Sequence, residues 1–545
     1  MSIFDFSNPD LYFLFVLSLV NAVMLCFLSY KFMQIIQIEE YKVSHYNIWL
    51  RDTKAKWVSR ILMLSILSFL CAVVTNVLFN EKMAKSKIVG YIGLLFYFGI
   101  AIKFIIGMYK IPQKKPLKLT KRMFRLFVLA FILYLAISFV LLLIGLQFSY
   151  YLRASLLTLT PITIPVVVPF VVLISAPIEK GIYNFYKSKT KRTLASHKDL
   201  IKIGITGSFG KTSTKQYLTQ ILQSKYKVLS TPGSFNTPMG IAKVTKNLTD
   251  DTQIFVVEMG AKQPGDIAEL CKMVGPTHGM ITAVGEQHLE TFKSLDNIIK
   301  TKSELFESLS QDAICVFDCS NPNTKKMFDL CKLKRKIAVG TENGFLQAKN
   351  IVASADGLSF DMIFKKRSYP VKTQILGEHN IQNILLASAM ALKLGVNIKM
   401  VQKSIAELKP VEHRLELKKL PNDILMIDDS FNSNIQGTAV ALKTLGLFTS
   451  AKRKIVVTPG LVELGDREAV ENQELGRRIA KIADVVILVN KNQSDNIRAG
   501  LVKENFDQSK IIYKDTLFDV AIFFKTFLQS GDVILMENDL PDNYK

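Results

Sequence analysis

An α-helical transmembrane part followed by two α/β domains is the fold class this 545-residue sequence predicts. Three observations predict it. Long apolar segments are confined to the part of the chain before residue 180. From Leu200 onward, short apolar runs alternate with helical stretches, as in a mainly parallel sheet. Between these two regimes, IKIGITGSFGKTS at Ile201 to Ser213 reads as a strand, a Gly-containing turn and the start of a helix.

The apolar segments are Leu11 to Tyr30, Ile61 to Phe79, Ile88 to Met108, Leu126 to Phe148 and Leu156 to Ile178. Each is about long enough for a hydrocarbon core of ~30 Å. The last contains Pro161, Pro165, Pro169 and Pro177, so it crosses fully or only partly, giving five spans or four. A cleaved signal peptide is excluded, because Met1 to Asp10 carries Asp5 and Asp10 and no basic run. The loops Lys31 to Arg60 and Lys110 to Arg125 hold most of the Lys and Arg, although the short loop Glu81 to Lys87 also carries three lysines. The positive-inside rule then puts the N-terminus outside and, with five spans, everything after Ile178 in the cytoplasm of a multi-pass plasma-membrane protein. The net charge of +23 gathers beside the apolar segments. That favours anionic lipid headgroups as partners, and no nucleic-acid recognition module is present. The six cysteines lack paired CxxC spacing and read as reduced small hydrophobes. Cys315, Cys319 and Cys331 have no obvious fourth metal ligand.

In the turn after Ile201–Thr206, Gly207 and Gly210 leave the backbone bare, so its N–H groups can face a phosphate. Lys211 can reach the outer phosphates, and Thr212 or Ser213 offers a hydroxyl to Mg²⁺. The candidate nucleotide contacts are Gly207, Ser208, Gly210, Lys211, Thr212 and Ser213. The full eight-residue P-loop pattern is absent, since its first glycine would fall at Ile205.

Further strands are expected in TQIFVVEMG, HGMITAVG and DAICVFD, with an antiparallel excursion in Gly357 to Leu376 and a helix from Asn380 to Leu394. After a crossing at Pro410 to Leu420, a second α/β unit would use DILMIDD, KRKIVVTPG, DVVILVN, KIIY and DVILME. Thr231 to Gly240, TPGSFNTPMG, is a shaped loop. Glu258 ends its strand beside the phosphate loop, where ligands bind in doubly wound sheets, and a carboxylate there suits Mg²⁺. His288 closes another strand-to-loop junction. Lys302 lies on the helical stretch NIIKTKSELFESL, where Lys300 and Glu304 are expected to be solvated.

The series TGSFGKTS, VVEMGAK, VGEQHLETF, KSELF, GEHNIQN, VEHRLE, IDDSFNSN and VELGD is similar, in order, to the Mur ligases over roughly residues 200 to 480. Within that family it most resembles the branch that adds D-alanyl-D-alanine in peptidoglycan synthesis. After the transmembrane domain that the apolar spans predict at 1–180, the resemblance implies two domains: a P-loop-type central ATP-binding domain at 181–410 and a Rossmann-like C-terminal domain at 411–545. It implies ATP and Mg²⁺ as cofactors, with Lys211 and the loop amides on the phosphates. Thr212 and Glu258 would hold one Mg²⁺, His288 would serve a second, and Lys302 would be a carbamylated metal-binding lysine. Asn380 and Asn383 match the adenine-side motif, Arg414 the linker arginine and Asp429 the acidic residue of the C-terminal edge. Such ligases activate a carboxylate as an acyl phosphate, which the amine of an amino acid or peptide attacks.

The departures are specific. Apolar spans replace the domain that would hold a uridine nucleotide, Phe431 and Ile435 replace a Tyr and a Pro, and the basic KGSR-like C-terminal sequence is missing. A lipid-linked cell-wall precursor therefore fits better as acceptor than a soluble UDP sugar. A polyglutamate-type synthase is one rival reading, and a membrane scaffold whose nucleotide site only switches conformation is another. Keeping Lys302 and His288 favours catalysis.

Overall fold

The computed structural model describes residues 9–52, 56–78, 87–110, 116–145, 156–287, 289–340, 342, 344–431, 434–462, 464, 467–490 and 493–538. They divide into two units, Met1–Ile182 and Tyr183–Lys545.

The first unit is helical. Among the described residues, four helical stretches are long and apolar enough to cross a membrane: Leu11–Leu28, Ile92–Tyr109, Lys121–Ile144 and Leu156–Ser196. The remaining expected span falls on the helix Lys56–Leu78, whose described apolar stretch, Val58–Leu70, is shorter. Pro169 and Pro177 lie inside one helix, Ile164–Ser196, which follows a 3₁₀ turn at Thr160–Thr163. The connection from Lys31 to Arg60 was expected to be a loop, yet it contains the helices Tyr30–Ile38 and Val43–Asp52. The reason is burial: Phe32, Met33, Ile36 and Tyr46 join the apolar core of this unit.

A few neutral polar groups pair inside that apolar core. Asn21 donates to Ser138 Oγ at 2.9 Å and to Thr160 Oγ1 at 3.0 Å, and accepts from the Tyr97 hydroxyl at 3.0 Å. Ser29 pairs with the Tyr134 hydroxyl at 2.7 Å. Large apolar side chains point outward instead: Leu95, Val166, Met63 and Phe124 are each more than 60% exposed.

The second unit holds two six-stranded sheets and a three-stranded one. The first runs β2 (Val228–Ser230), β3 (Ile254–Glu258), β1 (Ile201–Thr206), β4 (His278–Ile281), β5 (Ile314–Asp318) and β6 (Arg335–Val339), all parallel. β3 and β5 are buried along their whole length, as strands covered on both faces must be. Alternate residues feed two cores. Ile254 and Val256 pack with the helices Lys211–Leu222 and Asn380–Lys393, while Phe255 and Val257 pack with Asp266–Val274 and Leu295–Glu307. The chain leaves β1 to one side for β2 and β3, then crosses to β4 on the other. This switch point puts a crevice at the C-terminal end of β1.

The antiparallel excursion exists and starts earlier than expected, as β7 (Gln347–Ser354), β8 (Gly357–Phe364) and β9 (Arg367–Thr373). The last sheet is ordered β10 (Glu416–Leu420), β11 (Ile424–Asp429), β15 (Asp532–Glu537), β12 (Arg453–Thr458), β13 (Val485–Val489) and β14 (Ile511–Lys514). Only β10 in it is antiparallel. The five strands expected here are present. β2, β6, β7 and β10 are additions, short or half-exposed, with little apolar patterning to announce them.

Candidate functional site: a phosphate loop ringed by buried charge

The loop between β1 and the helix Lys211–Leu222 is clamped from outside. Ser208 and Phe209 donate their N–H groups to the Ala283 carbonyl at 2.9 and 3.1 Å. The Ser208 hydroxyl donates to the Gly285 carbonyl at 2.8 Å and accepts the Gly285 N–H at 3.1 Å. Gly207 and Gly210 have φ of 152° and 78°. A Cβ on Gly207 would meet Thr282 Oγ1 at 1.9 Å, and one on Gly210 would meet Asn383 Oδ1 at 2.3 Å, so both sites require glycine. Gly210 is the N-cap of the helix, which leaves its first N–H groups and its positive dipole end facing the crevice. The Lys211 ammonium folds over the loop onto the Gly207 and Ser208 carbonyls at 2.8 and 3.0 Å. Burial lowers its pKa to about 8, with Arg414 adding to the effect and Glu258 opposing it. Ser213 is buried on the same helix.

Glu258, at the end of β3, is 1% exposed. Its Oε2 accepts the Thr212 hydroxyl at 3.0 Å and the Lys215 ammonium at 3.0 Å. Its Oε1 accepts Asn236 Nδ2 at 3.1 Å. Burial works against the charge, but Lys215 and Lys211 outweigh it and hold the carboxyl below its ordinary value. Lys215 and Asn236 were not among the expected site residues. A signal existed for Lys215, four residues beyond Lys211 and so on the same helix face.

Lys302 is 3% exposed on the helix Leu295–Glu307, whose N-cap Ser294 accepts the Asn297 N–H. Burial, and then the nearby Lys211, lower its pKa to about 7. Lys300 is exposed, as expected. Glu304 is not merely solvated: its carboxylate accepts the N–H groups of Gly265 and Ala268, both at 2.8 Å. It thereby caps the N-terminus of the helix Asp266–Val274, whose N-cap glycine has no side chain for the task. His288 lies outside the described residues.

Asn380 and Asn383, both buried, open the helix Asn380–Lys393. Asn383 donates to Asn380 Oδ1 at 3.0 Å and accepts the Thr214 hydroxyl at 3.2 Å, so the pair braces the first turn of the phosphate helix. Arg414 follows in the linker, its guanidinium 4.3 Å from the centre of the Phe431 ring. Burial lowers its pKa, while Asp429 and Glu258 oppose. Asp429, at the end of β11, accepts the Leu415 N–H at 3.1 Å, and burial raises its pKa to about 6 against the pull of Arg414. Polar contacts cross between the two α/β parts: Arg467 with Glu286 at 3.3 Å and Lys443 with Glu378 at 2.8 Å, all exposed. His413, Glu416 and Asp428 bring ligand atoms within 4.8 Å of one another. The Lys418 ammonium already offsets part of that cluster's charge, 2.5 Å from Asp428 and 3.1 Å from Glu416.

Residues 205–391 match the Mur ligase middle domain, and residues 413–537 match the Mur ligase glutamate ligase domain. The chain belongs to the Mur ligase family, whose members are ATP-dependent C–N ligases. Neither match reaches the helical residues before 183. This Mur ligase is 27% identical over 335 residues to the UDP-N-acetylmuramoyl-tripeptide--D-alanyl-D-alanine ligase of Bacillus subtilis, covering 62% of this chain and 72% of the relative. The Escherichia coli enzyme of the same name is 29% identical over 316 residues, covering 57% and 69%. Among solved structures, MurF from Acinetobacter baumannii superposes with a TM-score of 0.57 at 26% identity, covering 66% of this chain and 77% of that one. MurF from Thermotoga maritima in complex with ADP gives a TM-score of 0.58 at 25% identity, covering 66% and 81%.

Proposed function

We propose that this Mur ligase is a membrane-anchored ATP-dependent ligase. It activates a carboxylate as an acyl phosphate and joins it to the amine of an amino acid or short peptide, on a lipid-linked cell-wall precursor. The observation that carries the reading is the electrostatic pairing of Lys211 with buried Glu258 at the ends of β1 and β3, with buried Lys302 near enough to Lys211 for its pKa to be lowered by it.

The residues fit the proposed cofactors. The bare loop leaves room for the ATP phosphates, against which Lys211 and the helix N-terminus place positive charge. Thr212 and Glu258, 3.0 Å apart, offer the hard oxygen donors that suit Mg²⁺. When bound, Mg²⁺ neutralises charge on the transferring phosphoryl oxygens. Asn380 and Asn383 hold the loop from the adenine side. Arg414, steadied by Asp429, points positive charge towards the phosphates from the linker. Lys302, with a pKa of about 7, is largely neutral at slightly alkaline pH. A neutral amine adds carbon dioxide, releasing a proton and forming a carbamate whose oxygens could ligate metal, with His288 as a further proposed ligand.

The membrane reading rests on the length of the apolar helices and on the many large apolar side chains that this unit leaves exposed around an apolar core. In it, residues 1–180 sit in the plasma membrane, and the domains at 181–410 and 411–545 are cytoplasmic. The helical unit stands where the Mur ligase models have no match, which supports a lipid-linked acceptor.

The test is ADP release by the full chain in vesicles carrying lipid-linked precursors. Release is expected to require an added amino acid or peptide, and release indifferent to it would return the chain to a nucleotide-switched scaffold. Cysteine labelling tests topology: Lys115→Cys is expected to be protected from an impermeant reagent in intact cells and Ser86→Cys labelled, and the reverse pattern overturns the orientation.

A further inference from the structure

Lys215 has no part in the chemistry above, yet it is 3% exposed and carries a long cationic side chain into the site. Its ammonium donates to Glu258 Oε2 at 3.0 Å and also to the Gly233 carbonyl. The same Oε2 accepts the Thr212 hydroxyl at 3.0 Å, and Asn236 takes Oε1. Both oxygens of the carboxylate are therefore engaged, one of them by a resident cation. Gly233 and Asn236 belong to the loop Thr231–Gly240, so Lys215 also ties that loop to the end of β3.

We propose that Lys215 is a positioning residue acting as the built-in counter-cation of Glu258. It holds the carboxylate and the Thr231–Gly240 loop in place in the nucleotide-free protein and makes divalent-metal binding depend on the phosphates of the nucleotide. A dication held by Glu258 and Thr212 would have this ammonium as a neighbour, since Lys215 and Thr212 share Oε2. The repulsion between the two cancels part of the carboxylate's attraction for the metal, and does so more strongly in a water-poor site. The triphosphate brings the missing negative charge, so metal and nucleotide enter together. The inference rests on the assignment of Glu258 as a metal ligand.

The experiment uses the detergent-solubilised full chain and Mn²⁺ as the probe, with free Mn²⁺ read by electron paramagnetic resonance. Without nucleotide, Lys215→Met is expected to bind Mn²⁺ about tenfold or more tighter than wild type, because a nearby like charge is gone. With a non-hydrolysable ATP analogue the gap is expected to shrink, and Lys215→Arg, which keeps the charge, is expected to follow wild type. Lys215→Gln carries the same expectation and replaces Lys215→Met if the latter fails to fold. A neutral variant that binds Mn²⁺ alone no tighter than wild type overturns the proposal. Glu258→Gln separates the two levels. If it binds Mn²⁺ with the analogue as well as wild type does, the metal assignment itself falls. If it loses Mn²⁺ while the neutral Lys215 variant shows no gain, only the role of Lys215 falls.

Discussion

The helical unit and the nucleotide crevice both bury polar groups, and they bury different kinds. Around Asn21 the groups are neutral, and each satisfies another: a carboxamide, hydroxyls of Ser138 and Thr160, and the Tyr97 phenol. Around Glu258 the groups are charged, and cations outnumber anions: Lys211 and Lys215 both act on one carboxylate, and Lys302 lies close enough to Lys211 to be affected by it. A closed neutral network costs little to bury and fixes how helices meet. Excess buried cationic charge is costly and persists where a ligand of opposite sign completes it. The first arrangement is architecture, and the second is the proposed phosphate site.

The strongest way to break that contrast is at Lys211. Lys211→Ala is expected to cut amino-acid-dependent ADP release by roughly 10²–10³-fold, as for loss of one preorganised charge-stabilising group, while membrane insertion stays unchanged. Near-wild-type turnover would mean that the buried cations do not serve the phosphates.

Lys302 sharpens the contrast through pH. Its folded pKa of about 7 lies below the ordinary lysine value of 10.5. Between these values the unfolded chain holds more protons than the folded one, so stability rises with pH across the window. The penalty of burying the ammonium is therefore complete below about pH 7 and fades towards 10.5. In buffer free of carbon dioxide, Lys302→Met is expected to stabilise the protein by roughly 3 kcal/mol at pH 6 and far less near pH 10, while losing ligation. Lys302→Arg should fail in ligation as well, since arginine cannot supply metal-binding oxygens. A stability gain independent of pH would show that the ammonium is not what the fold pays to bury.

The neutral network should give a smaller effect. Asn21→Leu is expected to lower the unfolding free energy of the detergent-solubilised protein by roughly 1–2 kcal/mol, with no pH dependence near neutrality. An unchanged melting temperature would remove Asn21 as an organiser of the helices. Smallest of all is the exposed pair Arg467–Glu286, both partners more than half exposed. Arg467→Ala should leave thermal stability nearly unchanged, because water screens such pairs. A larger shift in thermal unfolding would mark it as a latch between the two α/β parts.

Much of this was readable before any tertiary contact was known. Hydrophobic period and run length are local properties, so the apolar helices, β1, β3, β4, β5 and the C-terminal strands were legible. The phosphate loop was legible because a strand, the turn glycines Gly207 and Gly210, and Lys211 occur within thirteen residues, Ile201 to Ser213. Burial and partnership are not local, and there the reading fell short. Glu304 looked like a solvated helix residue until the helix Asp266–Val274, far away in sequence, brought its bare N-terminus to it. Lys302 looked the same as Lys300 on paper, but one is covered by the sheet and the other faces solvent. The sequence by itself determined which segments are apolar, which are strands and where phosphate can be cradled, since each depends on neighbours along the chain. Only the tertiary structure decided that Lys215 answers Glu258, that Asn383 closes on Gly210 and that Lys302 is dehydrated, because a charge takes its energy from what surrounds it in space.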